Sequence, residues 1–324
     1  MGDIDEKVQH SSTRSFADDT RLIKGIEIVE DTQKLQGDLN SVYVWSDDNN
    51  MEFNAVKFEL LRYGPNTEVK AETHYTSSSN IEIKEYEYVK DLGVLMSNDC
   101  KFKHHINNVV INARKTSSWI LRTFRTRAAT PMLTLWKSLV LPKLEYCSQL
   151  WNPWLKCDIQ SLEMVQWSFI RKIIHPKKSY WSRLKALKLY SLERRRERYM
   201  IIYTWKILEN LVPNINQSDG LRPVFQPRLG RLCFVKARIT GTSVALQSIR
   251  HNFLSTRGPI LFNSLPKELR NLSGCPVLEF KKKLDKFLVF VPDEPSVLGA
   301  TTNAASNSIK HQINNRQADI GLFT

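Results

Sequence analysis

Over the first hundred residues the apolar positions fall into short runs broken by a single helical stripe. Ser12–Ala17 and Thr20–Ile23 are extended runs flanking Asp18-Asp19, the pattern of a β-hairpin with aspartates at its tip. Leu35, Leu39, Val42 and Trp45 follow at helical spacing, with Asp31 or Thr32 placed to cap the helix and Asp47-Asp48-Asn49-Asn50 to end it. Gly37 inside that helix costs about 1 kcal/mol relative to alanine, so packing must hold it. Phe58–Tyr63 predicts a strand closed by Gly64-Pro65-Asn66, and residues 66–80 a polar loop. Ile81–Val89 and Leu92–Met96 predict a second strand pair bending near Lys90-Asp91.

From Phe102 the period becomes helical. Phe102, Ile106, Val109, Val110, Ala113, Ile120 and Phe124 form one stripe. On the same wheel Lys115 and Arg122 lie about 20° apart and about 180° from Ile106 and Phe124, so this helix buries one face and turns cations outward. Thr130-Pro131 starts a helical stretch reaching about Trp151, which Pro142 should kink. Asp158 is placed to cap a helix over Ile159–Ile174, with Leu162, Val165, Phe169 and Ile173 inward and Pro176 as its stop. Ser191 caps another, about Leu192–Leu211, whose first turns carry Arg194, Arg195, Arg196 and Arg198. Cations there oppose the helix dipole, so another interaction must favour them, and a phosphate backbone is one candidate. Residues 212–260 are mixed, Val277–Val289 is a last helix with Lys281, Lys282 and Lys283, and residues 292–324 read as a disordered tail. The fold class is α+β.

Charge sharpens this division. Residues 1–100 hold 10 Lys+Arg and 20 Asp+Glu, and residues 101–324 hold 37 and 13, within a net charge of +14. A basic region of that size is an electrostatic footprint for nucleic acid or another anionic surface. A basic protein whose charge only keeps it soluble is the plainer alternative. Uninterrupted apolar stretches such as Phe287–Val291 are far shorter than the roughly 20 residues of a membrane span. The acidic start MGDIDEKVQH does not read as a signal peptide. The five cysteines form no CxxC pair, which argues for reduced thiols rather than disulfides or a zinc site, and His104-His105 reads as helix surface. An intracellular location, nucleus or cytoplasm, is expected.

The residues suited to chemistry are Phe16-Ala17-Asp18-Asp19. Carboxylates held on a rigid hairpin are what two-metal phosphoryl transfer needs, although a bare Asp-Asp pair is more often a turn or a solvated acid. Its context adds to it. SFADDTRLIKGI resembles the third palm motif of the reverse transcriptases of non-LTR (LINE-type) retrotransposons. MEFNAVKFELLRYG resembles their next palm motif, with Asn54 and Lys57, and YVKDLGVLMS their primer-grip hairpin, with Leu92, Gly93 and Val94. LPKLEYCSQLWNPW, SLEMVQWSFIRKI, SLERRRERY and RGPILFNSLPKELRN resemble later blocks in the same order, closest to Jockey-like and chicken-repeat-like elements, over residues 3–290.

The resemblance implies a partial palm at residues 1–97, a helical thumb-like region at 98–176 and a basic, mainly helical C-terminal region at 177–291. It implies Mg²⁺ held by Asp18 and Asp19, Lys57 beside the incoming triphosphate, and RNA template and DNA primer or target as partners. Lys115, Arg122 and the Arg194–Arg198 run would then touch nucleic acid. In the family the remaining metal-binding aspartate and the fingers motifs lie before the aspartate pair, and only 17 residues precede Asp18 here. The expectation is a polymerase fragment inactive by itself. The alternatives are a non-enzymatic nucleic-acid-binding remnant and a pseudogene product without function. For Lys57, the Leu92-Gly93-Val94 bend and the arginine run, the plain readings are a solvated lysine, an ordinary β-bend and a solvated helix face.

Overall fold

A computed structural model describes residues 4–64, 68–78, 80–174, 178–213, 223–226, 231–234, 253–297 and 306–319. The chain forms two compact units, Met1–Cys100 and Lys101–Thr324. Helices dominate, with three two-stranded antiparallel hairpins among the described residues, a mixed α+β content. Pro65, Asn66 and Pro176, most of residues 212–260, and 298–305 and 320–324 of the expected tail lie outside the described residues.

The first unit is organised by one helix. A short helix α1 (Ile4–Lys7) leads to the hairpin β1 (Ser12–Phe16) and β2 (Asp19–Ile23), followed by α2 (Val29–Asp48). Leu39, Val42 and Trp45 are buried along α2 as their spacing predicts, and Val42 and Trp45 close on Ile4, Val8, Leu22 and Phe53. The helix starts earlier than predicted, because Asp31 acts from within its first turn: its Oδ2 accepts from the amides of Glu27 and Ile28 at 3.2 and 3.4 Å. Asp38, almost fully buried, fixes α2 to the segment before β1 by accepting from the amides of Gln9 and His10, each at 3.0 Å. Burial pushes its carboxyl up. The Ser11 hydroxyl and these amides outweigh that and hold it below the usual carboxylate range.

The rest of this unit departs from the predicted sheet. Phe58–Tyr63 is not a strand: only Leu60 pairs, in a parallel bridge to Glu85. The Arg62 side chain ties the region together instead, donating to the Thr73 carbonyl at 2.5 Å. A short helix α3 (Glu68–Glu72) stands in the expected loop. The second hairpin is shorter than predicted, β3 (Tyr88–Asp91) and β4 (Val94–Ser97).

The second unit begins with α4 (Lys103–Thr123), whose buried face holds Ile106, Val109, Val110, Ala113 and Ile120 as the stripe predicts. His105 is a correction. It is buried against Trp151, with ring centroids 5.1 Å apart, and burial pulls its imidazole down to about 4. Next come α5 (Ala129–Leu135), a π-helical turn (Trp136–Val140) and α6 (Leu141–Glu145). Pro142 has no amide to donate and crowds the preceding turn, and the helix answers by widening: the Leu141 amide reaches back to the Trp136 carbonyl. After α7 (Ser148–Trp151) comes α8 (Lys156–Ile170). Asp158 lies in its first turn rather than capping it, while Leu162, Val165 and Phe169 are fully buried. Then α9 (Tyr180–Ala186) leads to α10 (Leu192–Leu208), where the Ser191 hydroxyl accepts from the Arg194 amide at 3.0 Å, the predicted cap.

The hairpin β5 (Pro223–Gln226) and β6 (Arg231–Phe234) precedes α11 (Leu254–Asn263), α12 (Lys267–Arg270) and α13 (Val277–Leu288). α11 crosses α10 at Gly258, where a Cβ would fall inside contact distance of the Thr204 hydroxyl. Trp205 of α10 stacks on Phe280 of α13 with centroids 4.4 Å apart and planes 5° apart. The expected disordered tail is a correction over its described part. α14 (Ile309–Asp319) buries Ile309 and Ile313 in the core that holds Met200, Trp205 and Phe280.

Three outcomes are expected. Gly37 points into open space at an ordinary helical φ, so Gly37→Ala should raise stability by about 0.5–1 kcal/mol, read as a shift in the denaturation midpoint. Glu197 accepts from the Ile309 amide at 2.6 Å and the Ser308 hydroxyl at 2.7 Å, so Glu197→Ala should speed amide exchange across residues 309–315, and unchanged protection would refute that role.

Glu163 of α8 is fully buried. Burial pushes its carboxyl up to about 8, against the Tyr180 hydroxyl bond and the Arg196 charge, which pull it back from higher still. Its folded value is therefore above the ordinary 4.5, and the stability from its bound proton is present below that value and lost as pH rises through about 8. Wild type should melt lower at pH 9 than at pH 6, and Glu163→Gln should flatten that dependence; equal slopes would remove Glu163 as its source.

Candidate functional site

The aspartate pair stands at the tip of the first hairpin. Phe16 and Asp19 form its last paired position, so Ala17-Asp18 is the two-residue turn, and Ala17 takes a positive φ of 54° that is rare for a residue with a Cβ. Asp18 and Asp19 are both exposed, as is Phe16. The hairpin reaches the second hairpin through Arg21, whose Nη1 lies 2.6 Å from Asp91 Oδ2. Such a half-exposed pair contributes at most about 1 kcal/mol, so it orients more than it stabilises.

In the second hairpin, Asp91 pairs with Val94, and Leu92 and Gly93 form the turn with φ of 43° and 85°. Two positive φ values are the mark of a type I′ turn, which matches the twist of the flanking strands. The glycine is therefore required by the backbone itself. Val94 is buried, Leu92 half-buried and Gly93 exposed. Lys57 ends a 3-10 turn, Ala55–Lys57, opened by Asn54, whose side chain accepts from the Val56 amide at 3.1 Å. Lys57 is exposed and forms no hydrogen bond or ion pair with Asp18 or Asp19 among the described residues. Within the first unit the structure thus links the two hairpins through Arg21 and Asp91, and no bond joins Lys57 to the aspartate pair among the described residues.

The arginine run has a different setting from the one expected for phosphate contact. Arg194 and Arg196 are buried to 0% and 2% exposure, so neither guanidinium is offered to an external phosphate. Arg194 donates to the carbonyls of Val291 and Pro292, just beyond α13, at 3.2 and 2.5 Å. Arg196 lies near the carboxyls of Glu163 and Glu193, and its guanidinium nitrogens form no hydrogen bond among the described residues. Arg195 pairs with Glu145, and Arg198 with Asp285 at 2.5 and 2.7 Å. For Arg194, Arg195 and Arg198 the compensation missing at this helix start is supplied by carbonyls and carboxylates from elsewhere in the unit.

Among the described residues, a group of free cations lies on α4. Residues 101–144 contain nine Lys and Arg and no Asp or Glu. Lys115 and Arg122 are exposed together with Arg114 and Ser118, and with Ile111 they line one shallow depression. Arg114, Lys115 and Arg122 make no ion pair among the described residues. Arg127, by contrast, is consumed by the end of the helix, donating to the Leu121 carbonyl at 2.6 Å. Trp119 is half exposed on the same side and is braced edge-to-face by Phe124, with centroids 6.4 Å apart. Arg114, Ser118 and Trp119 were not singled out in the sequence. The wheel arithmetic that joined Lys115 to Arg122 reaches Ser118 and Trp119, which fall about 60° and 40° from Lys115, while Arg114 lies about 100° away.

Metal chemistry meets a limit at the hairpin. Among the described residues no three His, Cys, Asp or Glu side chains converge to hold a cation. Asp18 and Asp19 alone do not fit a pair of Mg²⁺ ions, whose mutual repulsion needs more oxygen ligands on a fixed frame. No helix among the described residues is long and apolar enough to cross a membrane. Comparison with protein-family models, with curated proteins and with solved structures finds no match for this chain.

Proposed function

We propose that this chain is palm-and-thumb material of an RNA-directed DNA polymerase of the non-LTR retrotransposon type, acting on an RNA template with a DNA primer or target. The observation that carries the reading is the aspartate hairpin tied through Arg21–Asp91 to a second hairpin with Leu92-Gly93 in its turn. In this reading Asp18 is a metal ligand, Asp19 a second ligand or a support of the tip, and Leu92, Gly93 and Val94 steady the primer end. Lys57 lies near the triphosphate once substrates are bound. The chain by itself is inactive, because two carboxylates do not assemble the metal pair. A second reading, a nucleic-acid-binding protein without catalysis, is favoured by the acid-free cationic face of α4.

The test is primer extension on a primed RNA template with Mg²⁺ or Mn²⁺. The chain alone should give no product, since losing orientation of the reacting groups forfeits about 7–11 kcal/mol of barrier lowering. Extension by the chain alone, abolished by Asp18→Asn, would mean that the site is complete. Joined to a segment supplying a further palm carboxylate and nucleotide-binding motifs, the chain should extend primers. There Asp18→Asn should abolish the activity and Lys57→Ala slow it by about 10²-fold or more. If the joined protein extends primers equally with Asp18→Asn, the polymerase reading fails.

A further inference from the structure

We infer that the exposed face of α4 is a binding site for an unpaired nucleic-acid strand, with Trp119 as the platform on which a base stacks and Arg114, Lys115 and Arg122 as its phosphate contacts. The inference rests on the nucleic-acid reading of the second unit and goes further, naming the strand state and the residue that selects it.

Charge complementarity identifies the occupant as a polyanion. The helix lies in a stretch of 44 residues, 101–144, without one carboxylate, and three of its cations have no ion partner among the described residues. Elsewhere in the unit, three helical arginines are paired with carboxylates: Arg195 with Glu145, Arg198 with Asp285 and Arg257 with Glu197. Lys115 and Arg122 are seven residues apart, about 10.5 Å along the axis, so they address different phosphates along one strand.

Trp119 separates an unpaired strand from a duplex. Its indole is 49% exposed between the two cation positions, and Phe124 limits its freedom. A half-exposed indole held in place offers a flat apolar face with a polar edge, which a flat partner can cover. Unpaired bases offer a free π-face, and stacking on an aromatic side chain is tolerant of sequence. In a duplex the faces are already stacked, and the indole would have to part a base step or stand in the way of the phosphates. Ser118 and Asn108, exposed on the same side, add neutral hydrogen-bonding groups.

The test uses the full chain with a labelled oligothymidylate of about twenty nucleotides, its duplex with oligoadenylate, and poly-glutamate as a competing polyanion. The unpaired strand should bind tighter than the duplex, with affinity falling steeply from about 50 to 200 mM salt. Trp119→Ala should lower affinity for the unpaired strand about tenfold and leave duplex binding and the melting temperature unchanged, while Trp119→Phe keeps most of the affinity. Joint replacement of Arg114, Lys115 and Arg122 by glutamine should reduce the salt slope for both forms. If Trp119→Ala weakens both forms equally or neither, the strand-selective role is overturned while nucleic-acid binding stands. If wild type binds neither form at low salt, or poly-glutamate displaces the strand at equal charge, the nucleic-acid reading fails as well.

Discussion

The packing of the second unit turns on the first turns of α10, which carry two guanidiniums and a carboxylate where water does not reach. Arg194, Arg196 and Glu197 are at most 2% exposed, and Glu163 of α8 faces them. Removing an ion from water costs several kcal/mol even after relaxation, so Arg194 and Glu197 depend on the partners they find, while Arg196 has only the nearby carboxyls of Glu163 and Glu193. Those partners fix the surrounding elements. Arg194 draws in the carbonyls that follow α13, and Glu163 accepts from the Leu192 amide at 2.9 Å. Glu197 holds Arg257 of α11 at 2.9 Å and the start of α14. Asp293 accepts from both the amide and the hydroxyl of Ser191 at 2.7 Å. Four helices distant in sequence meet on one helical turn because a misplaced neighbour would leave a buried charge unpaired.

That constraint explains why similar cations have opposite fates in one unit. On α10 the arginines are flanked by Glu193 and Glu197 and meet carboxylates and free carbonyls brought by other parts of the unit. On α4 the cations share a face with asparagine and serine, and no carboxylate lies within reach in sequence. A guanidinium among carboxylates becomes part of the core, and one without them remains available to an external anion.

In the first unit the analogous constraint is Asp38, a buried carboxylate within α2 that takes the amides of Gln9 and His10. It fixes the entry to the aspartate hairpin, and Arg21–Asp91 then relates that hairpin to the next. The hairpin pairs with no further strand among the described residues, and its Phe16 stays exposed.

The elements legible in the sequence are those governed by local rules. The α4 stripe and the Ser191 cap follow from helical period and side-chain capping, neither of which needs a distant residue; the two hairpins were legible as well, although the turns fall at Ala17-Asp18 and Leu92-Gly93 rather than at Asp18-Asp19 and near Lys90-Asp91. The disturbance at Pro142 was legible too, although its form, a π-helical turn, depended on how the helix could rejoin its packing. The Phe58–Tyr63 segment was not legible, since a strand exists only if a partner lies alongside, and here only Leu60 finds one. The arginine run was misread for the same reason: its clash with the helix dipole was visible, but not the carbonyls and carboxylates that resolve it, roughly 50 to 100 residues away in the chain. The docked α14 was hidden by its polar composition, because two buried isoleucines and a capping glutamate from another helix suffice to hold it. Sequence alone determined local conformation and the inventory of charges; tertiary structure decided which charges are buried, since burial depends on partners that only folding brings together.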